Sequence, residues 1–583
     1  MTTKSEVRDG MRVDWDVEIK MPDGVILRCD IFRPLGEEPV PALMTYGPYG
    51  KGLAWQDGYQ TAWEILERDN PDAVANTSNL YQCWEVPDPE KWVPDGYALV
   101  RVDSRGAGRS EGFLAVSSPQ ETQDIYDCIE WLARQPWCSG KIGMNGISYY
   151  GANQWRAAAK RPPHLAAICI WEGYSDSYRE ASRHGGIFCT FGKNWFNIQV
   201  LTLQHGLGDS GRRSRVTGET VCGPETFTDE ELARNRVVSR GLLAHPLEDA
   251  SHRAANGDLL AVEIPLLSAA NWGGQGLHLR GNVEGYLGAA SKQKWLAFHG
   301  GAHWAEFYTD YGVAMQKRFF GHFLKGERTG WEDQPPIQMQ IRRPGETKFA
   351  VRHENEWPLA RTQWTEFYLD FERMSLTTEP SSAPSKLDYR AMGEGLTFKT
   401  APFETETEIT GPVASRLLVS SKTVDADVFL VLRLFDADDR EVTFFGAVEP
   451  HAPIGQGWLR ASHRKLDQAK TTPYRPYHSH DELQPLIPDV PVRLDVEIWP
   501  TCIVVPKGYR IGLTVLGRDY EWDGAATFLS TAKNMLKGSG PFLHDDPEDR
   551  PSDIFGGINT LHFDPGNPPF VLLPVIPSSD SAR

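Results

Sequence analysis

The sequence predicts two successive architectures: a mostly parallel α/β sheet that carries an inserted helical cap, and then an all-β domain. In the first half, short apolar strands alternate with helices, which is the pattern of a parallel sheet with crossover helices. From about residue 335, short strands separated by turns rich in Gly, Pro and Asp replace that pattern. The 583 residues suffice for two to four domains at roughly 100–200 residues each.

In the α/β part, an Asp-Gly turn at 23–24 predicts a β-hairpin over 17–32. Helical spacing ends at Pro136, which predicts a helix over 122–135. Further apolar runs predict strands at Val40–Tyr46, Tyr97–Asp103, Leu165–Trp171, Val262–Ala270 and Trp295–His299, and an amphipathic helix at Tyr308–Leu324.

The domain prediction follows from where this alternation stops and resumes. Residues 1–175 and 261–330 form the two parts of the α/β domain. Residues 176–260 are aromatic, rich in His and Arg and helical in pattern over 230–242, so they are predicted to be a helical cap. Residues 335–583 are predicted to form a jelly-roll β-sandwich, which is expected to complete the site or to mediate homo-oligomers.

Charge and composition exclude several classes of protein. The net charge of -18 is spread along the chain without a long basic run, which argues against nucleic acid as a partner. The first ten residues lack the apolar core of a signal peptide, and no apolar run is long enough to cross a bilayer. The eight cysteines are scattered without a Cys-x-x-Cys pair, which predicts reduced, mostly buried thiols in a cytoplasmic protein.

The most informative motif is Gly-Ile-Ser-Tyr-Tyr-Gly at 146–151. A short apolar strand leads into it and a helix of small residues follows, which is the setting of a nucleophile elbow. Such a turn tolerates no side chain at Gly146 or Gly151 and exposes the hydroxyl of Ser148. It also leaves the backbone N–H of Tyr149 free to face a developing oxyanion. The second glycine stands one residue later than in the common Gly-x-Ser-x-Gly pattern.

A serine nucleophile requires a base, and on this type of sheet the base is a histidine in the loop after the last strand. His303 occupies that loop, while His299 lies closer to the strand end and better suits packing or hydrogen bonding. A second oxyanion donor is expected in the loop after the third strand. That loop is Gly-Pro-Tyr-Gly at 47–50, where a backbone N–H or the Tyr49 hydroxyl could serve.

Four segments of the chain together resemble the hydrolase family of cocaine esterase and X-Pro dipeptidyl-peptidases: Gly47–Tyr49, Asp103–Ser110, Gly146–Gly151 and Val496–Thr501. The resemblance implies an α/β-hydrolase domain, a helical cap and a C-terminal jelly roll. It also implies that the delayed Gly151 is normal, that the Tyr49 hydroxyl and the Tyr149 N–H form the oxyanion hole, and that His303 is the family histidine. Asp103 and Arg105 resemble a structural signature of the family.

The catalytic acid does not transfer by this resemblance. The family has an aspartate just after the strand at 262–270, but this chain reads Asn-Trp-Gly-Gly-Gln-Gly-Leu at 271–277. Because the histidine still needs an acceptor for its Nδ1–H, we predict that Glu172 replaces the aspartate from the end of the neighbouring strand. Asp176 is the runner-up and is favoured as structural; Gln275 or another group is the remaining alternative.

The sequence therefore predicts a serine hydrolase that cleaves a small carboxylic ester without a cofactor or metal. The first alternative is the same machinery on an amide or peptide, as in an X-Pro dipeptidyl-peptidase or a β-lactam acylase, with the cap carboxylates of residues 229–231 as candidate ligands for a substrate ammonium group. The second is a decayed hydrolase that binds a glycan or polymer. Candidate walls of the substrate pocket are Trp171, Trp272 and Trp155, which flank the site in sequence.

Overall fold

The computed structural model describes residues 4–577, except for the side chains of residues 236–240. Its strands are β1 Lys4–Arg8, β2 Met11–Lys20, β3 Ile26–Arg33, β4 Val40–Gly47, β5 Ala98–Asp103, β6 Cys138–Ile147, β7 Leu165–Trp171, β8 Arg183–His184, β9 Ile187–Phe188, β10 Leu266–Asn271, β11 Lys294–His299, β12 Ile337–Ile341, β13 Ala350–Glu354, β14 Gln363–Asp370, β15 Ser375–Thr377, β16 Ser385–Arg390, β17 Leu396–Thr400, β18 Thr407–Ser421, β19 Asp427–Phe435, β20 Glu441–Val442, β21 Gly455–Arg460, β22 Val492–Val505, β23 Arg510–Leu516, β24 Ile558–Phe563 and β25 Phe570–Ile576. Its α-helices are α1 Trp55–Gly58, α2 Gln60–Asp69, α3 Pro89–Trp92, α4 Pro119–Ala133, α5 Tyr149–Ala159, α6 Phe191–Trp195, α7 Asp229–Ala233, α8 Val238–Ala244, α9 Ala250–Ala254, α10 Leu279–Gly288, α11 Asp310–Phe320 and α12 Ser552–Phe555.

The first sheet is mixed and α/β-hydrolase-like, with the strand order β1-β2-β3-β5-β4-β6-β7-β10-β11-β12-β13. The central strands from β5 to β12 run parallel, and antiparallel strands flank them on both sides. Because the carboxyl ends of parallel strands meet at one edge, the segments that follow β4, β6, β7, β10 and β11 come together there. These segments contain Tyr49, Ser148, Glu172 and His303.

The strand at 337–341 belongs to this first sheet, although the sequence analysis assigned it to the second domain. Ile337 pairs with Leu296 of β11 in parallel register, and β13 then adds an antiparallel edge. Ile337, Met339 and Ile341 are buried while the residues between them are half-buried. That alternation predicts a strand correctly, but it does not say which sheet the strand joins.

The C-terminal region forms a second sheet of twelve strands. Its longest strand, β18, pairs with β22, β24 and β25, and these pairings curl the sheet into a barrel. The predicted change from α/β to all-β structure is therefore correct, with the barrel beginning at β14. The jelly-roll arrangement stays a prediction.

The segment predicted as a helical cap consists of short helices and turns together with the β8–β9 hairpin. The predicted helix over 230–242 is divided into α7 and α8, with a 3₁₀ turn at Arg234–Val237 between them. A capping box between Thr228 and Glu231 fixes the start of α7,. No helix within residues 4–577 is both long and apolar enough to cross a membrane. All eight cysteines are buried and free.

Candidate active site

The nucleophile elbow forms between β6 and α5 as the sequence predicts. Ser148 adopts φ +56° and ψ -112°, a conformation that costs a non-glycine residue about 1–3 kcal/mol and that clusters at functional sites. A Cβ at Gly146 would lie 2.5 Å from Cβ of Tyr150, and one at Gly151 would lie 2.8 Å from the carbonyl oxygen of Trp171. Neither neighbour can move freely, so both positions require glycine, including the delayed one.

The Ser148 hydroxyl forms its hydrogen bond with His278, not with His303. Ser148 Oγ lies 3.1 Å from Nε2 of His278, a residue that the sequence analysis did not single out. His278 directly precedes α10, and the chain turns after β10, where the Gly274 N–H donates to the carbonyl oxygen of Asn271 at 2.9 Å. This is the segment in which the family aspartate is absent.

His303 lies between two carboxylates. Its Nδ1 is 2.7 Å from Oε2 of Glu172, and its Nε2 is 2.8 Å from Oε1 of Glu85. Its ring stacks on that of His278, with centroids 5.1 Å apart and planes 13° apart. Glu172 follows β7 directly and has φ +45°, and the Asn271 amide donates to its other oxygen at 3.2 Å.

These contacts give the two histidines opposite charge preferences. Burial alone would lower the pKa of His303, but the carboxylates of Glu172 and Glu85 raise that pKa to about 10. Burial raises the pKa of Glu85 to about 7, and contact with His303 limits the rise. Burial, reinforced by the charge on His303, holds the pKa of His278 well below its usual value. His303 is therefore an imidazolium in this state, whereas His278 is neutral.

The two residues predicted as oxyanion donors line the same cavity as Ser148. The Tyr49 hydroxyl accepts a bond from Nε1 of Trp195 at 2.9 Å, which leaves its own hydrogen available to a ligand. Burial holds the pKa of Tyr49 well above its usual value, so the phenol stays protonated. Tyr149 is the first residue of α5, and its N–H therefore has no acceptor within the helix.

The alternatives to Glu172 are engaged elsewhere. Asp176 accepts the backbone N–H of Arg179 and pairs with its guanidinium at 2.7 Å. The amide of Gln275 donates to the carbonyl oxygen of Pro500, in the second domain. His299 lies 3.4 Å from Glu172 and packs on Trp171, which fits the packing role expected for it.

The Asp103 loop is held by hydrogen bonds of its own. Asp103 accepts the backbone N–H groups of Lys51 and Arg109 at 2.6 and 2.9 Å. Arg105 forks onto Asp124 with two bonds of 2.8 Å. These contacts fit the structural role that the sequence analysis favoured for the loop.

A cavity of about 420 Å³ opens beside Ser148, and all three regions of the chain line it. The α/β domain supplies the reacting groups, the cap supplies Phe191 and Trp195, and the second domain supplies Leu529 and Phe542. Most of the lining side chains are apolar or aromatic, so the cavity suits a small substrate with a hydrophobic group. The cap carboxylates of residues 229–231 lie at the exposed start of α7 and are not among the lining residues.

The three tryptophans predicted as pocket walls do not line this cavity. Trp171 packs under the site against Phe307, Trp155 is buried against α10, where it fills the space beside Gly285, and Trp272 stacks on Phe298 with ring centroids 4.1 Å apart. Each stands next to a site segment in sequence. Trp171 ends β7, where successive side chains point to opposite faces, whereas Trp155 lies in α5 and Trp272 follows β10,. Adjacency along the chain therefore does not by itself place a side chain in the pocket.

Ligand atoms of Glu172, His278 and His303 lie within 4.8 Å of one another. Both nitrogens of His303 are already bonded to carboxylates, and Nε2 of His278 is bonded to Ser148. As an imidazolium, His303 carries a hydrogen on each ring nitrogen and offers no lone pair to a cation, so in this state the cluster lacks one of its three ligands.

Two family profiles together match most of the chain. Residues 23–305 match the X-Pro dipeptidyl-peptidase S15 family, and residues 329–572 match the X-Pro dipeptidyl-peptidase C-terminal non-catalytic domain. The chain belongs to the S15 family of serine hydrolases. The resemblance noted in the sequence is thus confirmed.

Three relatives show how far the similarity of this S15 hydrolase extends. A protein of Mycobacterium bovis named as a serine esterase is 24% identical over 597 residues, covering 86% of this chain and 90% of that protein. Cocaine esterase of a Rhodococcus species is 26% identical over 487 residues, covering 71% of this chain and 78% of the relative. The crystal structure of a CocE/NonD family hydrolase from Staphylococcus aureus superposes with a TM-score of 0.81 at 29% identity, over 97% of this chain and 94% of that one.

Four residues around the site of this S15 hydrolase were not predicted from the sequence: Glu85, His278, Asn271 and Trp195. Glu85 lies in the insertion between β4 and β5, and Trp195 lies in the cap. In neither segment does a periodic pattern mark a functional side chain. His278 and Asn271 flank the glycines that replace the family aspartate. Their position was the available signal, because the resemblance already implied that this segment lies close to the histidine.

Proposed function

We propose that this S15 hydrolase cleaves small carboxylic esters through an acyl-enzyme on Ser148. In this proposal His303 is the general base, Glu172 orients it, and the Tyr49 hydroxyl with the Tyr149 N–H binds the oxyanion. The contact of 2.7 Å between Glu172 and Nδ1 of His303, beside the elbow serine, is the observation that carries the proposal. It supplies the acceptor that a catalytic histidine needs when the family aspartate is absent.

The steps follow from these roles. The Ser148 oxygen attacks the ester carbonyl while its proton passes to Nε2 of His303, and the carbonyl oxygen takes up the negative charge between the two donors. The tetrahedral intermediate then expels the alcohol, which takes the proton from His303. Water attacks the acyl-enzyme in the same way, so that the acid leaves and Ser148 regains its proton.

This assignment requires a rearrangement at His303. In the state described, Nε2 of His303 is bonded to Glu85, and the serine hydroxyl is bonded to His278. For the first step, His303 must lose a proton and exchange Glu85 for Ser148 as the partner of Nε2. The raised pKa of Glu85, about 7, allows this carboxyl to take up a proton near neutral pH.

His278 is the second candidate for the base, because it already contacts Ser148. Among residues 4–577, however, no carboxylate contacts its Nδ1, and an imidazolium there would be buried beside the positive charge of His303. A buried histidine without a counterion is a poor base, because its protonated form is destabilised. If His278→Ala abolished turnover while His303→Ala retained it, the assignment would reverse.

An ester is favoured over a dipeptide by the lining of the cavity. Of the residues described as lining it, Glu85 is the one carboxylate, and it is already paired with His303. A dipeptidyl-peptidase needs a free carboxylate for the ammonium group of its substrate. Two of the relatives above are also named as esterases, which supports the ester proposal.

Matched substrates test this preference. We expect p-nitrophenyl esters of short or aromatic acids to be hydrolysed, and Xaa-Pro-p-nitroanilides to react at least about a hundredfold more slowly in kcat/KM. A fluorophosphonate should label the wild type and not Ser148→Ala. Faster cleavage of the anilides would favour the peptidase alternative, and failure to label would favour the decayed, glycan-binding alternative.

Two further predictions from the sequence belong to this proposal. We keep the cytoplasm as the proposed location, which the eight buried free thiols support,. We also keep the jelly-roll arrangement for the second domain. Since that domain supplies Leu529 and Phe542 to the cavity, its proposed role is to complete the substrate site.

A further inference from the structure

A second cluster of potential ligand atoms lies where the cap meets the C-terminal domain. His184 and Cys189 come from the β8–β9 hairpin and its end, and His544 comes from the long segment after β23. One ligand atom from each of the three lies within 4.8 Å of the other two. All three residues are almost completely buried, with exposures of 1%, 1% and 0%.

The outer hydrogen bonds of the two histidines fix where their protons must be. Nε2 of His184 is 3.2 Å from the backbone carbonyl oxygen of Glu180, and Nδ1 of His544 is 2.7 Å from Oδ1 of Asp519. A carbonyl oxygen accepts only, and so does an ionised carboxylate. Each of these outer nitrogens must therefore carry a hydrogen.

When both rings are neutral, each of the two inner nitrogens then carries a lone pair and no hydrogen. Nδ1 of His184 faces Nε2 of His544 at 2.8 Å, where two acceptors would repel each other. Either an additional proton bridges them or a cation accepts both lone pairs. The buried Sγ of Cys189 beside them makes the cation the better match, because thiolate and imidazole are the donors that Zn²⁺ and Cu⁺ prefer.

We propose that His184, Cys189 and His544 bind one d¹⁰ metal ion, Zn²⁺ or Cu⁺, through Nδ1, Sγ and Nε2. Asp519 supports the site through its contacts with His544. It accepts the Nδ1–H of His544 and also its backbone N–H at 2.7 Å, which is how carboxylates orient metal-binding histidines. Metal binding requires a modest separation of the two nitrogens and releases the thiol proton of Cys189.

The position of the cluster indicates which parts of the protein such an ion would connect. Phe191 lies two residues after Cys189, and Phe542 lies two residues before His544. These two rings contact each other with centroids 4.9 Å apart, and both line the substrate cavity. Between them, the Thr190 N–H donates to the carbonyl oxygen of Leu543 at 2.8 Å. An ion bound by Cys189 and His544 would therefore hold the cap and the C-terminal domain together at one wall of the cavity.

Elemental analysis of the full-length chain, purified without an affinity tag or chelator, tests the site. We expect about one zinc or copper per chain, and the element found identifies the ion. If little metal is bound, the chain is titrated with Zn²⁺, and separately with Cu⁺ under reducing conditions, against a competing chromophoric chelator. Each arm reads stoichiometry and the melting temperature Tm, so neither readout depends on esterase activity.

Cys189→Ala should lose the ion or bind it at least about tenfold more weakly, and its Tm should no longer respond to metal. Cys169→Ala is the matched control, since it removes another wholly buried thiol, one from β7 in the core of the α/β domain. His544→Gln gives a second test if the Cys189 variant does not fold. A folded wild-type chain that binds neither ion with one-to-one stoichiometry, and whose Tm does not change with either, would overturn the site and leave a bridging proton between the histidines.

Discussion

Replacing Glu172 by Gln tests the proposed catalytic acid with an almost isosteric change. The amide of Asn271 donates to Oε1 of Glu172 at 3.2 Å, so the carbonyl oxygen of a glutamine takes that position. The NH₂ group then faces Nδ1 of His303. Because NH₂ is a donor, Nδ1 must become the acceptor and the imidazole proton must move to Nε2.

This tautomer cannot serve as the base. Glu85 accepts from Nε2 at 2.8 Å and stabilises the proton there, on the nitrogen that must receive the proton of Ser148. In a serine protease, the corresponding change of tautomer lowers kcat by about 10⁴. At about 1.4 kcal/mol per tenfold, that is about 5.5 kcal/mol of transition-state stabilisation. We expect a loss of this size for Glu172→Gln, with little change in KM.

The assay is the hydrolysis of a p-nitrophenyl ester, with folded enzyme quantified by circular dichroism and Tm. Asp176→Asn is the matched control, because it makes the same change at the runner-up carboxylate and should keep kcat within about threefold of the wild type. If Glu172→Gln retained kcat within tenfold of the wild type, Glu172 would not orient His303 as proposed. A large loss in the Asp176 variant instead, with Tm unchanged, would give that role to Asp176.

Three further predictions follow from the same site. Glu85→Gln removes one of the two carboxylates that raise the pKa of His303 to about 10. Because the imidazolium is then less stabilised, that pKa falls, and the acidic limb of the pH profile of kcat/KM should move to lower pH. An unchanged limb would contradict the coupling between Glu85 and His303. Tyr49→Phe should lower kcat by about 10²–10³ through loss of an oxyanion donor. Tyr59→Phe should leave kcat unchanged, because the buried Tyr59 hydroxyl has no hydrogen-bond partner within the described part of the chain; equal losses in the two variants would assign the effect to packing. Gly151→Ala places a Cβ 2.8 Å from the carbonyl oxygen of Trp171 and should destabilise the fold by about 1–3 kcal/mol, measured as a lower Tm. Gly557→Ala is its control, because a Cβ there meets no atom of the described residues within 4 Å.

Local geometry explains which parts of the site could be predicted. The elbow is a strand, a tight turn and a helix in direct succession along the chain, so Ser148 and its two glycines are defined by short-range sterics. Glu172 could be located because it is the first residue after a continuous apolar strand, and the ends of adjacent parallel strands meet at one edge. Its contact with His303 follows from that placement.

The residues that were missed or misplaced depend on long-range packing. Trp171 stands one residue before Glu172, yet it points into the core because side chains alternate along a strand. Glu85 is 218 residues from His303, and His278 is 130 from Ser148. Such separations leave no periodic signal within any window of the sequence.

The sequence by itself therefore determined the order of the two architectures, the elbow turn that carries the candidate nucleophile and the strand ends that carry the other candidate groups. Hydrophobic periodicity and turn sterics act over a few residues, and that is the range in which a sequence can be interpreted directly. Only the tertiary structure decided which partner each group has in the folded state: Glu85 and Glu172 on His303, and His278 on Ser148. Those pairings depend on loops whose paths are set by packing between the sheet, the cap and the second domain.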